Sequence, residues 1–135
     1  MKKIFFILVL IFSVTVITTS CKKKVTEKSA AEKLQNKWTF INAVVNSYYS
    51  GANHITTVTG NNGDYMDFRA DGKLYVRLQS SMDTVGYNLS GSDKIIIDGT
   101  DTLTIQTLTD NALKLYMKDV INASSYDEAT YNLSR

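Results

Sequence analysis

The stretch DYMDFRADGKLYVRL, residues 64–78, decides the fold because it has the pattern of two strands joined by a tight turn. On both sides of Asp71-Gly72, apolar and polar side chains alternate, as they do in strands that turn one face to a core. Branched and aromatic residues, which favour strands, are frequent in both halves. The stretch therefore predicts a β-hairpin with one buried face.

The loop length of this hairpin follows from which side chains share a face. A two-residue loop, Asp71-Gly72, would set charged residues opposite apolar ones, whereas a three-residue loop, Ala70-Asp71-Gly72, keeps the two faces distinct. The pairs in the second register are Phe68–Leu74, Met66–Val76, Asp67–Tyr75 and Tyr65–Arg77. We therefore predict a type I turn followed by Gly72 in the left-handed region.

A second hairpin of the same kind is predicted in LTIQTLTDNALKLYMK, residues 103–118. A loop formed by Thr109-Asp110-Asn111 again brings apolar residues face to face. The apolar pairs are then Ile105–Leu115 and Leu103–Met117. Asn111 would take the left-handed conformation, which asparagine tolerates better than most residues that carry a side chain.

The remaining predicted strands have shorter sequence patterns, which are spaced about ten residues apart. They are residues 38–45, 84–89, 94–98 and 126–134, with a weaker strand at 54–59 inside a long polar loop, 46–63. A short helix is indicated at residues 29–36, where Ser29 and Glu32 have the spacing of a capping box. Residues 29–135 are therefore expected to form an all-β domain, an up-and-down antiparallel β-barrel of about eight strands whose closure removes exposed sheet edges.

Residues 1–20 have the order of a secretory signal peptide. Lys2 and Lys3 are followed by nine apolar residues, Ile4 to Phe12, and then by small and hydroxyl residues. A membrane-anchoring helix is the alternative. Such a helix needs about 20 apolar residues, and threonines and serines interrupt the run after Phe12.

Cys21, the only cysteine, follows Thr18-Thr19-Ser20, which resembles the lipoprotein box of bacteria except that Thr18 stands where an apolar residue is preferred. We expect cleavage before Cys21 and acylation of its thiol; an incidental cysteine in a signal peptide is the alternative. Two or more acyl chains would hold the protein stably on a membrane. Residues 21–28 are expected to form a flexible tether, either a solvated spacer or, through Lys22–Lys24, a contact with anionic headgroups.

The charge of the chain argues against a nucleic-acid partner. Loss of the leader removes Lys2 and Lys3, which leaves thirteen basic and thirteen acidic residues. Nucleic-acid binders usually present a basic face, and the sequence has no basic cluster beyond Lys24.

Few residues in the sequence carry catalytic or metal-binding chemistry. His54 is the only histidine, it falls in the polar loop, and no nucleophile motif accompanies it. One histidine does not supply the three or four ligands of a zinc site, so no metal, cofactor or catalytic residue is expected. Several aspartates lack the spacing of a calcium loop and are expected in turns or on the outer face: Asp64, Asp67, Asp71, Asp98 and Asp101.

The order of these features resembles the small lipocalin-like lipoproteins of Bacteroidota. The order is leader and lipid cysteine, short helix, Asn36-Lys37-Trp38, DYMDFRADGKLY, LTIQTLTDNALKLY and a closing arginine. The resemblance covers residues 29–135 and implies a lipocalin-like barrel. It also implies that Trp38 packs at the closed end of the barrel beneath the guanidinium of Arg135. Lipocalins have a glycine where this chain has Asn36, and without the arginine contact Trp38 would be an ordinary core residue.

The resemblance implies a lipid-anchored protein of the bacterial cell envelope, on the outer membrane, but no particular activity. An eight-stranded barrel is just wide enough to be filled by side chains or to hold one small ligand, and our first hypothesis is that it binds a small hydrophobic molecule. Tyr48 and Tyr49 follow the first strand, where the loop of such barrels borders the open mouth, and are candidate contacts for a ligand or partner. Tyrosines that merely lie on the barrel surface are the alternative. A second hypothesis is a structural or protein-interaction lipoprotein with a filled barrel, no small ligand and an envelope protein partner. An enzyme is not expected.

Overall fold

The computed structural model describes residues 26–135, in which one short helix is followed by nine strands. The helix is α1 (Ala30–Leu34), and the strands are β1 (Lys37–Tyr49), β2 (Ala52–Thr59), β3 (Tyr65–Phe68), β4 (Lys73–Leu78), β5 (Ser81–Ser90), β6 (Lys94–Ile97), β7 (Asp101–Leu108), β8 (Ala112–Asn122) and β9 (Ser125–Ser134). The predicted leader, Cys21 and the start of the tether lie outside the described residues. Within the described part of the chain, no helix has the length and apolar character needed to cross a bilayer.

Eight of the strands close into an antiparallel barrel, which confirms the predicted fold class. The ring runs from β1 to β3 and then in chain order to β9, which pairs with β1 again. Strand β2 is an extra strand that pairs with β1 and lies outside the ring. The chain therefore follows an up-and-down path except where β2 is inserted between β1 and β3.

Strand β1 has different partners along its length. Its first residues, Lys37 to Thr39, pair with β3, whereas Asn42 to Tyr49 pair with β2. Its other edge pairs with β9 as far as Tyr48, with an irregularity between Phe40 and Asn42. This β-bulge bends the strand and changes which side chains turn inward. The second half of β1, together with β2, β8 and β9, forms a four-stranded sheet, which we call the flap.

The hairpin at residues 64–78 has the predicted register. Phe68 pairs with Leu74 and Met66 with Val76. Gly72 has a φ of 76°, in the left-handed region, as the three-residue loop requires. Its N–H donates to the Arg69 carbonyl at 3.2 Å, which closes the turn.

The second hairpin has the predicted Ile105–Leu115 pair, but the predicted conformation of its loop is wrong. Asn111 is not among the residues with positive φ. The extra residue is accommodated inside β7 instead, where the register shifts between Ile105 and Thr107. The Thr109 N–H donates to the Ala112 carbonyl at 2.9 Å, so the loop is tighter than expected.

The prediction of a long loop at residues 46–63 is also wrong for most of these residues. Strand β1 continues to Tyr49, and β2 begins at Ala52 after a two-residue turn. Ser50 and Gly51 have φ values of 54° and 78°, so both turn residues are left-handed, as in the tight turns that match strand twist. The weak strand predicted at 54–59 is therefore real and longer, and His54 lies on it.

The core fills the closed end of the barrel, beside α1. The capping box is present: the Glu32 N–H donates to the Ser29 hydroxyl at 3.2 Å, and the Ser29 N–H donates to the Glu32 carboxylate at 2.7 Å. This short helix turns Leu34 onto the core, where it is 1% exposed. Most of its stability must come from that packing, because an isolated helix of this length is unstable in water.

Asp64 is buried, which corrects the prediction that it is a turn or outer-face residue. It is 3% exposed, in the connection between β2 and β3. Its carboxylate accepts hydrogen bonds from the N–H groups of Asn61, at 2.8 Å, and Gln79, at 3.1 Å. Since Gln79 belongs to the β4–β5 turn, the hydrogen bonds of Asp64 link the β2–β3 connection to that turn.

We expect Asp64→Ala to lower the free energy of unfolding by about 1–3 kcal/mol, because it leaves two backbone donors without their acceptor. Urea denaturation measures this change. The matched control is Asp110→Ala, at an exposed aspartate whose ion pair with Lys28 spans 4.0 Å, and it should change stability by less than about 0.5 kcal/mol. Equal effects of the two substitutions would contradict the role assigned to Asp64.

Candidate functional site

The apolar interior of the barrel differs between its two ends. At the closed end, Trp38 and Leu115 are 0% exposed. Toward the opposite, open end, several apolar side chains that pack against the core are only half-buried: Val76, Leu78, Ile97 and Met117. The inner wall of the open half therefore presents apolar side chains that solvent reaches.

A line of polar side chains crosses the inner face of the flap above this apolar wall, and we call it the polar row. Its members lie opposite one another on β8, β9, β1 and β2: Asp119, Asp127, Ser47 and His54. The row directly below it, toward the core, is largely apolar: Met117, Ala129, Val45 and Thr56. Polarity thus changes abruptly at the mouth of the barrel.

The two carboxylates of the polar row carry like charges in a directly opposed pair. Such pairs destabilise a sheet, because the side chains lie close together. Among the described residues, neither Asp119 nor Asp127 has a basic side chain within salt-bridge distance. Two carboxylates without an ion-pair partner among the described residues therefore stand at the mouth of the barrel.

A recess of about 330 Å³ opens beside this acidic edge. It is lined by Thr100, Asp101, Thr102, Met117, Lys118 and Asp119. Asp101 begins β7, so a third carboxylate stands at the same rim. The recess combines one apolar side chain with a mostly polar wall.

Tyr48 and Tyr49, predicted together as contacts in a loop, end β1 and turn to opposite faces of the flap. Tyr49 shares the inner face with His54, and their rings stack with centroids 4.0 Å apart. Tyr48 lies on the outer face opposite Tyr126, and those rings stack at 5.2 Å. Of the pair, only Tyr49 is placed on the face that continues into the barrel.

The outer face of the flap carries a charged network that the sequence did not indicate. Lys118 lies 3.8 Å from the Tyr126 ring centroid and donates to the Glu128 carboxylate at 3.0 Å. The Tyr116 hydroxyl donates to the same carboxylate at 2.9 Å. These hydrogen bonds, first that from Lys118, lower the pKa of Glu128. The network is partly exposed and links β8 to β9.

The described residues do not assemble a recognisable catalytic or metal centre. His54 is exposed and stacks on Tyr49, and among the described residues its ring makes no hydrogen bond to the Ser47 hydroxyl opposite it. Within residues 26–135, no group of three or more histidine, cysteine, aspartate or glutamate side chains is arranged to hold a metal ion.

The closed end has the Trp38–Arg135 contact that the resemblance implied. The guanidinium carbon of Arg135 lies 5.6 Å from the centroid of the Trp38 ring. The indole N–H of Trp38 donates to the Leu34 carbonyl at 2.9 Å, so the ring is fixed on its other side by α1. The backbone N–H of Arg135 donates to the Asn111 carbonyl at 3.1 Å, which holds the end of the chain over the barrel.

The chain matches no protein-family model, and no curated protein or solved structure is significantly similar to it.

We expect Arg135→Ala to change the emission of Trp38, the single tryptophan, and to lower the free energy of unfolding by about 0.5–1 kcal/mol through loss of the cation–π contact. Fluorescence spectra and thermal denaturation measure the two effects. The control Arg77→Ala removes an exposed arginine on β4 and should leave the emission unchanged. If Arg135→Ala behaves like the control, the contact contributes nothing to closure.

Proposed function

We propose that this protein is a lipid-anchored lipoprotein of the bacterial cell envelope whose barrel binds a small hydrophobic molecule at its open end. The observation that carries the proposal is the half-buried apolar wall of the open half, which includes Val76, Leu78 and Met117. Each square ångström of apolar surface withdrawn from water is worth about 25 cal/mol. A ligand that covers this wall would therefore gain free energy without displacing the core at the closed end.

The polar row narrows the class of ligand. Asp119 and Asp127 would repel a carboxylate or phosphate at the mouth, and they would favour an uncharged or cationic head. Tyr49 and His54 add a flat stacked surface on the same face, suited to an apolar or aromatic group. We infer a neutral or cationic apolar molecule rather than a fatty acid.

If Cys21 is acylated as proposed, the place where the chain enters the barrel supports a mouth that faces away from the membrane. The described chain enters through residues 26–29 and α1, which lies at the closed end. A tether of residues 21–28 spans at most about 28 Å when fully extended. An anchor there, on the outer membrane, would place the closed end toward the lipid and the open end toward the aqueous side.

A protein-interaction role is the second candidate, and exposed apolar side chains on β2 and on the hairpins of the open half favour it. Four of these side chains are at least 60% exposed: Ile55, Met82, Val120 and Ile121. Singly exposed apolar residues are ordinary on protein surfaces, but these lie on hairpins that protrude at one end of the barrel. An envelope protein partner would find its contacts there.

The inner and outer faces of β1 provide a matched test of ligand binding. Val45 faces inward opposite Ala129, whereas its neighbour Val44 faces outward opposite Thr130, and both are half-buried. We expect Val45→Gln to weaken binding of the neutral fluorophore N-phenyl-1-naphthylamine about tenfold, or about 1.4 kcal/mol. Val44→Gln makes the same chemical change on the other face and should leave the affinity unchanged. A fluorescence titration of both variants measures this.

Two results would overturn the binding proposal. One is saturable binding that Val44→Gln weakens as much as Val45→Gln, which would place the probe elsewhere. The other is no binding of this probe or of any apolar molecule in native mass spectra of protein purified from its own host, which would indicate a barrel without a ligand.

The charge preference of the mouth is tested by competition with three molecules of equal chain length. Dodecylamine and dodecanol should displace the fluorophore better than dodecanoate, because Asp119 and Asp127 repel the carboxylate. In the double variant Asp119→Asn, Asp127→Asn the disadvantage of dodecanoate should shrink by at least about threefold, and added salt should have the same effect. An unchanged preference in that variant would separate the polar row from the ligand.

A further inference from the structure

Strand β2 is an edge strand with one free side. Among the described residues it pairs with β1 alone, and its remaining edge faces no other strand. Seven of its eight residues are exposed, and the exception, Val58, is half-buried. Ile55, at its centre, is 70% exposed.

The hydrogen bonds of the hairpin show which peptide groups point to the free side. The Gly60 N–H donates to the Ile41 carbonyl at 2.8 Å, so Gly60 turns toward β1. Peptide groups alternate sides along an antiparallel strand, and even-numbered residues of β2 therefore bond to β1. The odd-numbered ones direct their N–H and C=O groups outward: Asn53, Ile55, Thr57 and Thr59.

This edge lacks the features by which proteins usually protect such strands. Edge strands are commonly blocked by lysine, by proline, by bulges or by a covering element. The sequence of β2, ANHITTVT, has no lysine, carboxylate or proline, and its pairing with β1 has no register shift. It is instead rich in β-branched residues, which favour strand pairing.

We propose that two copies of this chain associate through β2, in an antiparallel pair related by a two-fold axis at Thr56. In this register Ile55 of one copy is opposite Thr57 of the other, and Asn53 is opposite Thr59. Every outward peptide group of the strand then has a partner. The two flaps join into one continuous sheet, and the contact is isologous, as in most symmetric dimers.

The chemistry of the edge favours a second copy over a charged peptide. The strand has no acidic or basic residue apart from His54, so two copies meet without repulsion between fixed charges. The pairing also brings Ile55 against a β-branched residue on the same face, a favourable cross-strand pair. A displaced register would leave outward peptide groups at one end of each strand without partners.

The proposal is tested with the Cys21→Ser chain, which has no cysteine, and with two substitutions of the same kind. Thr56→Lys places two ammonium groups against each other at the axis, and we expect it to weaken dimerisation at least about tenfold. Thr84→Lys, at an exposed threonine of β5, should leave the dimer intact. Sedimentation velocity at several concentrations gives the dissociation constants, and circular dichroism verifies that both variants fold.

Single cysteines then test the register. In the Cys21→Ser background, Thr56→Cys places a thiol on the axis, where paired Cα atoms lie about 4.5 Å apart, within disulfide range. It should form a covalent dimer under mild oxidation. Asn53→Cys, on the same exposed strand, pairs with Thr59 of the other copy and should not link to itself.

A chain that stays monomeric at all soluble concentrations would overturn the proposal, as would a dimer that Thr56→Lys leaves intact. Covalent dimers formed equally by the two cysteine variants would rule out this register. Binding of a foreign strand to β2 of a monomer would assign the edge to another partner. None of these outcomes depends on ligand binding at the mouth, so the two proposals fail separately.

Discussion

The pairing of β1 along both of its edges is the constraint on which the rest of the structure depends. A barrel closes only if its first and last strands meet, and β1 meets β9 over almost its whole length. Strand β3 is too short to pair with the whole of the other edge, because its four residues cover only the beginning of β1. Strand β2 pairs with the remainder, because unpaired peptide groups in the middle of a sheet are costly. The flap and the free edge of β2 both follow from this mismatch in length.

The same mismatch explains why inward side chains are more deeply buried at one end of the barrel than at the other. Hairpin loops, α1 and Arg135 cover the closed end, so side chains such as Trp38 and Phe68 lose almost all contact with water. At the open end the flap extends past the shorter strands on the far wall, and inward side chains there have fewer neighbours. Aspartates such as Asp127 are tolerated at that level because solvent still reaches them.

The part of the fold that could be predicted is the part where side-chain pattern and turn chemistry are local. In residues 64–78 the alternation is strict and Gly72 suits the left-handed position, so the register follows from the sequence. The β1–β2 hairpin was missed because β2 is exposed on both faces and has no apolar alternation, and because Ser50 adopts a left-handed conformation that serine seldom favours. Asp64 could not be placed from sequence, since one of its partners, Gln79, is fifteen residues away. The polar row was invisible for a similar reason, because its members come from four strands.

Strand β2 belongs both to the rim of the mouth and to the free edge of the flap. Its inner face contributes His54 to the rim of the mouth, and its free edge carries the peptide groups that a second strand would bind. A strand held by one neighbour is less ordered than a strand held by two, because half of its backbone groups are solvated. Pairing at the edge would therefore reduce the conformational freedom of the residues at the rim. A ligand that orders the same residues would then favour dimerisation, and dimerisation would favour ligand binding by an equal coupling free energy. The sign of that coupling follows from the position of β2 alone, whichever molecule occupies the mouth.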